Sequence, residues 1–264
     1  MLETPIIALI TDYGTVDSYV SEVKAVILRY RRDVQLVDIT HEVEAFNEME
    51  AAFVLRCASK TFPPGTIFLA VVDPGVGSGR QAIMVDTLSE KKFIGPDNGL
   101  MYPAAEAETI EKVYRIDYGM LGASTSGTFH GRDVFAVLVG LIISGRDLKG
   151  VLVPTSEYRR LRLPEPVWGE GEIRSSILHI DRFGNAVTNI GPKYLPPDIS
   201  SFEIVFQDGR RLSDVPLKES YAGVDPGKPL LVFGGTGFLE LSVNRGNASK
   251  FYNLKAGDRI VLKY

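Results

Sequence analysis

Cysteine is nearly absent from this 264-residue chain. Cys57 stands alone, so no internal disulfide can form, and a reducing, cytoplasmic compartment is the simplest expectation. Long apolar runs are missing too. The longest, Val134 to Ile143, falls well short of the ~20 residues a membrane helix needs and reads as a buried core helix. Pro5 to Ile10 is too short and has no basic leader, so no signal peptide is expected. Positive charge is not in excess: a net charge of -4 and a pI near 5.5 give no general attraction to nucleic acid or anionic membranes, which favours a small-molecule partner. Histidine is scarce, with His41, His130 and His179 scattered and without Cys or Glu at ligand spacing, so no metal site is expected. Neither G-x-G-x-x-G nor G-x-x-x-x-G-K-S/T occurs, which disfavours a standard dinucleotide or triphosphate cradle.

What is present is a globular composition, 45% apolar and 23% charged, enough to bury a substantial core. In the first half, strand and helix signals alternate. Ile6 to Ile10 reads as a strand buried on both faces, and a helix follows from about Ser18, with Val20, Val23, Ile27 and Tyr30 at helical spacing and Asp17 available as its cap. Val34 to Ile39 is strand-like, and Asn47 with Glu50 three residues on forms a capping-box pattern. Further strands are predicted at Ile67 to Val72, Ala82 to Asp86, Lys92 to Ile94 and Val113 to Ile116, with a helix beginning near Arg132. This alternation predicts a mostly parallel sheet flanked by helices over 1–152. Pro154, Pro164 and Pro166 then mark a linker over 153–167. Over 168–264 short strands and turns, including a hairpin turn at Asp208-Gly209, predict a smaller all-β barrel or sandwich.

Chemistry concentrates where strands give way to glycine-containing loops. Asp12 follows the first strand and precedes Gly14; it can accept hydrogen bonds from sugar hydroxyls or cap the next helix. Asp73 and Arg80 bracket the loop Gly75-Val76-Gly77-Ser78-Gly79 and can meet across it, as a structural ion pair or as catalytic groups. His130, between Phe129 and Gly131, can pack in its turn or move protons. His41 lies at another strand end, whereas His179 sits inside a β run and reads as structural.

Six segments in order, Ile10-Thr11-Asp12-Tyr13-Gly14, Asp38-Ile39-Thr40-His41, Val72-Asp73-Pro74-Gly75-Val76-Gly77, Gly95-Pro96-Asp97-Asn98-Gly99, Thr128-Phe129-His130-Gly131-Arg132-Asp133 and Asp181-Arg182-Phe183-Gly184-Asn185, resemble the motifs of the S-adenosyl-L-methionine hydroxide adenosyltransferases, relatives of the fluorinases and chlorinases. The likeness continues to Asn244-Arg245-Gly246-Asn247-Ala248. It implies attack of water or hydroxide on the 5′ carbon of the substrate's ribose, releasing adenosine and L-methionine, with no cofactor beyond the substrate. Asp73, Arg80 and His130 match the hydrolytic set. Which of Asp73 and His130 removes the proton is open at this point. Asp73 and Val76 stand where the halogenases carry Tyr and Thr, which disfavours halogenation.

By the same resemblance Asp12 matches the ribose carboxylate, Phe46 an aromatic on the nucleoside, Asp181 a partner of the amino group and Asn185 an adenine-reading amide. Thr236 falls near the methionine carboxylate, and Asn247 and Ala248 near the adenine, although extra residues around Asn244-Arg245-Gly246 separate this chain from the halogenases. The alternative for Asp181 through Asn185 is a plain β-turn. The family likeness also implies a homotrimer with sites at subunit interfaces. Two further functions compete: a halogenase acting at the same carbon, and a non-catalytic adenosine-binding sensor that keeps the pocket.

Overall fold

The computed structural model describes residues 4–122 and 127–264, and the chain divides into two units, 1–162 and 163–264. Among the described residues no helix is long and apolar enough to cross a membrane.

The first unit is built on a seven-stranded sheet. Its elements run β1 Ile6–Thr11, α1 Tyr19–Tyr30, β2 Gln35–Thr40, α2 Glu48–Ser59, β3 Ile67–Val71, β4 Ala82–Thr87, β5 Lys92–Pro96, α3 Tyr102–Ala107, β6 Ile110–Ile116, α4 Ala136–Ile143 and β7 Leu152–Pro154. The continuous apolar runs of β1 and β3 are central strands buried on both faces, as their composition requires. Ile7, Leu9, Leu69 and Ile94 point into one core with Ile27 of α1 and Val134, Leu138 and Val139 around α4. On the other face Phe68 and Phe93 stack at 4.8 Å.

The sheet is mixed rather than mostly parallel. Its order is β2-β1-β3-β5-β4-β6-β7; the pairs among β2, β1, β3 and β5 are parallel, and those among β5, β4, β6 and β7 are antiparallel. The cause is local. Between β4 and β5 the chain turns through Leu88 to Lys91, with Glu90 in the left-handed region (φ 64) and the Thr87 amide donating to the Lys91 carbonyl, and so short a link can only join antiparallel strands.

Three helix starts also differ from expectation. Ser18, not Asp17, is the N-cap of α1, and it makes no side-chain cap; its hydroxyl donates to Glu22 instead. Asn47 does cap α2, accepting from the Glu50 amide at 3.0 Å, but the Glu50 carboxylate turns to the Glu44 amide rather than closing a reciprocal box. The helix expected near Arg132 opens with a π-helical turn, Gly131–Phe135, before α4.

The second unit is a closed barrel. Its strands are β8 Val167–Gly169, β9 Glu172–Ile180, β10 Ala186–Thr188, β11 Ser201–Phe206, β12 Arg211–Lys218, β13 Pro229–Phe233, β14 Leu239–Val243 and β15 Arg259–Lys263, with the short helix α5 Ala248–Tyr252 interrupting the all-β pattern. The order β9-β10-β14-β13-β12-β11-β15 returns to β9, so no edge is left open, and β8 adds to β9 outside the ring. Ile177, Ala186, Phe202, Leu231, Leu241 and Ile260 fill the interior. Gly209, at φ 85, supplies the left-handed residue of the Asp208-Gly209 turn between β11 and β12.

Candidate active site

Parallel pairing aligns the C-terminal ends of β1 and β3, with Thr11 opposite Val71, so the loops carrying Asp12 and Asp73 leave the sheet side by side. Because β4 runs antiparallel to β5 and β6, its N-terminal end reaches the same edge, bringing Arg80 there together with Tyr118, which follows β6. The residue types that looked scattered in sequence converge through strand direction.

Arg80 is the centre. Its Nε donates to Asp73 Oδ1 at 2.8 Å and its Nη2 to Asp73 Oδ2, a two-pronged pair. Nη2 also lies 3.1 Å from His130 Nδ1, and Nη1 donates to the Tyr118 hydroxyl at 3.1 Å and to the Gln81 carbonyl at 3.2 Å. The guanidinium stands over the Phe135 ring at 5.4 Å. Both charges are largely removed from water, the side chains being 7% and 11% exposed for Asp73 and Arg80.

His130 is buried at the start of the π-helical turn. Gly131 beside it must lack a side chain, since a β-carbon there would strike the Tyr13 hydroxyl. Burial, with the Arg80 guanidinium next, pushes the His130 imidazole below its ordinary pKa, against the opposing charges of Asp73 and Asp133. The ring is therefore neutral near pH 7. Arginine can only donate, so Nδ1 accepts from it and the hydrogen sits on Nε2. His130 thus presents a donor, and both Asp73 oxygens already receive from Arg80.

Several groups around this cluster were not singled out as site residues, Tyr118 and Glu48 lying outside the motifs altogether. Burial raises the pKa of the Tyr118 hydroxyl, and that of Tyr13 is raised by burial and then by Asp12. Glu48, at the first turn of α2, is raised by burial and further by the charge of Asp73, while the Asn98 side chain opposes this. Tyr118 and Glu48 each follow a strand or cap, a position signal too common to single them out.

Asp12 is half-buried and its Oδ2 accepts from the Phe46 amide at 3.0 Å, which holds Phe46 in the left-handed region (φ 67) with its ring 67% exposed. His41 does not join the cluster as a catalytic group. It is a buried brace: Nδ1 meets the Thr11 hydroxyl at 2.8 Å, Nε2 lies 3.0 Å from Asp38 Oδ1, and its carbonyl accepts from Gly14 at 2.7 Å, fixing the Asp12 loop.

The other candidates lie in the barrel. Asp181 Oδ1 accepts from the amides of Phe183 (2.9 Å) and Asn185 (2.8 Å), and Oδ2 from the Asn185 side chain at 2.8 Å. The segment folds as a turn, the Gly184 amide donating to the Asp181 carbonyl at 2.9 Å, and the Asp181 carboxylate organises it. Gly184 at φ 87 lies against Asn247, and its carbonyl accepts from Ser249 at 2.9 Å, so the turn is joined to the start of α5, where Asn247 caps the Lys250 amide and Ala248 is buried. Thr236 sits in the tight loop closed by the Gly234 amide on the Phe238 carbonyl, and its Oγ1 is buried without a partner among the described residues.

Comparison with known proteins gives these constellations a context. The family model described as the SAM hydroxide adenosyltransferase N-terminal domain matches residues 7–151, and the corresponding C-terminal domain matches 175–261. The chain is 35% identical over 269 residues to a protein of Methanocaldococcus jannaschii named (R)-S-adenosyl-L-methionine hydrolase, covering 98% of this chain and 96% of that one. A protein of the same name from Thermus thermophilus is 35% identical over 258 residues, covering 94% and 95%. A protein of Actinopolyspora mzabensis named fluorinase is more distant, 26% identical with 96% and 95% covered. Among solved structures, an uncharacterized conserved protein from Thermotoga maritima superposes with a TM-score of 0.91 at 34% identity, covering 98% of this chain and all of that one.

Proposed function

The chain belongs to the SAM hydroxide adenosyltransferase family, and from that premise we propose that it hydrolyses S-adenosyl-L-methionine to adenosine and L-methionine. The stereochemistry in its relatives' names points to the (R)-sulfonium epimer as substrate. The observation that carries the mechanism is the Arg80 fork, which holds Asp73 with one side and His130 with the other.

Hydroxide attacks the ribose 5′ carbon; the new oxygen–carbon bond forms as the carbon–sulfur bond breaks, and the electron pair leaves with sulfur as a neutral thioether. The positive sulfonium is already an activated leaving group, so the reaction needs no cofactor and no general acid. What it needs is hydroxide near neutral pH. The Nε2–H of His130 donates to the attacking oxygen, while the Arg80 guanidinium, whose N–H groups are spent on Asp73, His130, Tyr118 and Gln81, favours negative charge there through its own positive charge and is held in place by Asp73. Neither Asp73 nor His130 is arranged as a free base, because the first has both oxygens occupied and the second carries its hydrogen on Nε2. The proton of the original water goes to solvent.

The remaining assignments follow the family likeness: Asp12 on the ribose hydroxyls, Phe46 on the nucleoside, Asn185, Asn247 and Ala248 at the adenine, and Asp181 and Thr236 at the methionine end. The reading also includes a cytoplasmic location and a homotrimer in which one protomer's first unit faces its neighbour's second; light scattering that finds a fully active monomer overturns the trimer. The reaction itself is tested by incubating the protein with each sulfonium epimer in ¹⁸O-labelled water. Adenosine labelled at the 5′ oxygen, formed from the (R) epimer, is expected. A 5′-chloronucleoside appearing with chloride, or substrate recovered intact, refutes it.

A further inference from the structure

With the Arg80 N–H groups spent, the fork leaves one hydrogen, the Nε2–H of His130, for the attacking oxygen. Relative to neutral water that oxygen is negative in the transition state, and its lone pairs have room for a second donor. Tyr13 stands beside the fork and is pinned from several sides. Its amide donates to Thr11 Oγ1 at 3.3 Å, the Thr11 hydroxyl meets His41 Nδ1 at 2.8 Å, and the Gly14 amide donates to the His41 carbonyl at 2.7 Å. Its ring packs against the core of the first unit and meets Tyr19 and Phe129 edge-on, with centroids 6.0 and 5.6 Å away.

The hydroxyl fixed in this way fills the place that a β-carbon of residue 131 would take, so it lies against the backbone next to His130. Among the described residues no acceptor takes its hydrogen. Burial holds the phenol above its ordinary pKa, the charges of Asp12 and Asp73 add to this, and Arg80 opposes it, so near neutral pH the group is a donor that keeps its hydrogen. Those charges also locate it, facing Asp12 and the fork together. Tyr118 differs: its oxygen accepts from Arg80 Nη1, and only Arg80 and Asp73 act on it. The 5′ carbon has to lie between the ribose hydroxyls, given above to Asp12, and the attacking oxygen, so the phenol on the Asp12 side is the one placed to reach that oxygen.

We propose that Tyr13 is a further catalytic residue, its O–H donating to the oxygen that attacks the 5′ carbon, beside the Nε2–H of His130. The inference rests on the hydrolytic reading above. Its test is Tyr13→Phe, which keeps the ring and its aromatic neighbours and removes only the hydroxyl. Single-turnover release of adenosine is expected to slow about ten- to hundredfold, the effect of losing a hydrogen bond to a charged group, with KM within about twofold of wild type and an unchanged melting temperature. The second readout needs no turnover: the 5′ oxygen of the product adenosine stands where the attacking oxygen stood, and 5′-deoxyadenosine lacks it. Calorimetric titration of wild type with both nucleosides is expected to show tighter binding of adenosine, and Tyr13→Phe narrows that gap several-fold, about the worth of one hydrogen bond.

A rate within about threefold of wild type overturns the assignment, as does a loss that appears in KM alone or together with a lowered melting temperature. So does a gap that Tyr118→Phe narrows and Tyr13→Phe leaves unchanged. If the wild-type protein releases no adenosine from the sulfonium, the hydrolytic reading fails by itself. The nucleoside pair then judges Tyr13 alone: a gap that narrows in Tyr13→Phe sustains a donor aimed at the 5′ oxygen, and an unchanged gap, or wild-type binding that does not distinguish the two, overturns it.

Discussion

Arg80→Lys separates charge from geometry at the centre of the site. The wild-type guanidinium reaches Asp73 through Nε and Nη2, His130 Nδ1 at 3.1 Å, the Tyr118 hydroxyl at 3.1 Å and the Gln81 carbonyl at 3.2 Å. A lysine ammonium is a single point; it can meet Asp73 but cannot span to the other three. Each forfeited hydrogen bond costs about 1 kcal/mol, so folding loses about 2–3 kcal/mol. Arg80→Ala is harsher, about 3–5 kcal/mol, because it strands the buried Asp73 carboxylate. The rate falls further than the stability. With no guanidinium against Nδ1, His130 is free to adopt the tautomer that offers no hydrogen toward the nucleophile, and losing a preorganised donor of this kind costs about 10²–10³ in kcat, or roughly 3–4 kcal/mol. Single-turnover release of adenosine measures the rate, and thermal unfolding measures the fold. A folded Arg80→Lys protein with kcat within about threefold of wild type refutes the role given to the fork.

The depressed His130 pKa has a sign that can be checked. The unfolded chain binds a proton near the ordinary value of ~6.5 while the native ring resists it, so stability is fully present above that pH and falls as pH drops below it, by at most about 1.4 kcal/mol per pH unit. His130→Gln removes this component, and denaturant melts of both proteins between pH 7.5 and 5, values spanning the window about the ordinary pKa, should converge toward the acid end. Activity falls only further down the acid range, where the native ring with its depressed pKa takes a proton, because a proton on Nδ1 would point at Arg80. Gly184→Ala puts a side chain at φ 87 and into Asn247, so it loosens the join between the Asp181 turn and α5; a loss of at least about 1–2 kcal/mol in thermal unfolding is expected, together with weaker adenosine binding. Asn47→Ala removes the cap of α2 and costs about 1 kcal/mol by the same melt, with KM for the nucleoside rising because Phe46 and Glu48 flank that cap.

How much of this was legible in the sequence depended on whether a signal was local. β1 and β3 announce themselves because strands buried on both faces must be apolar throughout, and Asp12 and Asp73 follow from where those runs stop. The antiparallel half of the sheet was hidden because β5, Lys92–Pro96, has the same apolar texture as a parallel strand; only the four-residue turn at Leu88 to Lys91 distinguishes it, and that turn lacks the usual Asn-Gly or Asp-Gly. β12 shows in the sequence only through the Asp208-Gly209 turn before it, because Asp214, at φ 54, and Pro216 break its alternation, although the strand is part of the barrel's ring. The Asp181 to Asn185 segment was legible as a turn, and its hydrogen bonds show one carboxylate building it.

The candidate site divides along the same line. Asp73, Arg80 and His130 stood out beside glycine loops as candidates, and the family resemblance singled them out as a set. What joins them could not, since Tyr118 reaches Arg80 only because β6 runs antiparallel to β4, and direction is a property of the sheet rather than of any segment. Glu240, a buried carboxylate of β14, is the sharper case. Within Leu239–Val243 it reads as the solvent-facing residue of an alternating strand, and its position on the outer face agrees with that pattern. Its burial comes from Tyr221 and Gly234, both distant from it along the chain or set across a loop, and a charged side chain kept from water in that way requires a compensating group. The phenol supplies part of that compensation within the barrel.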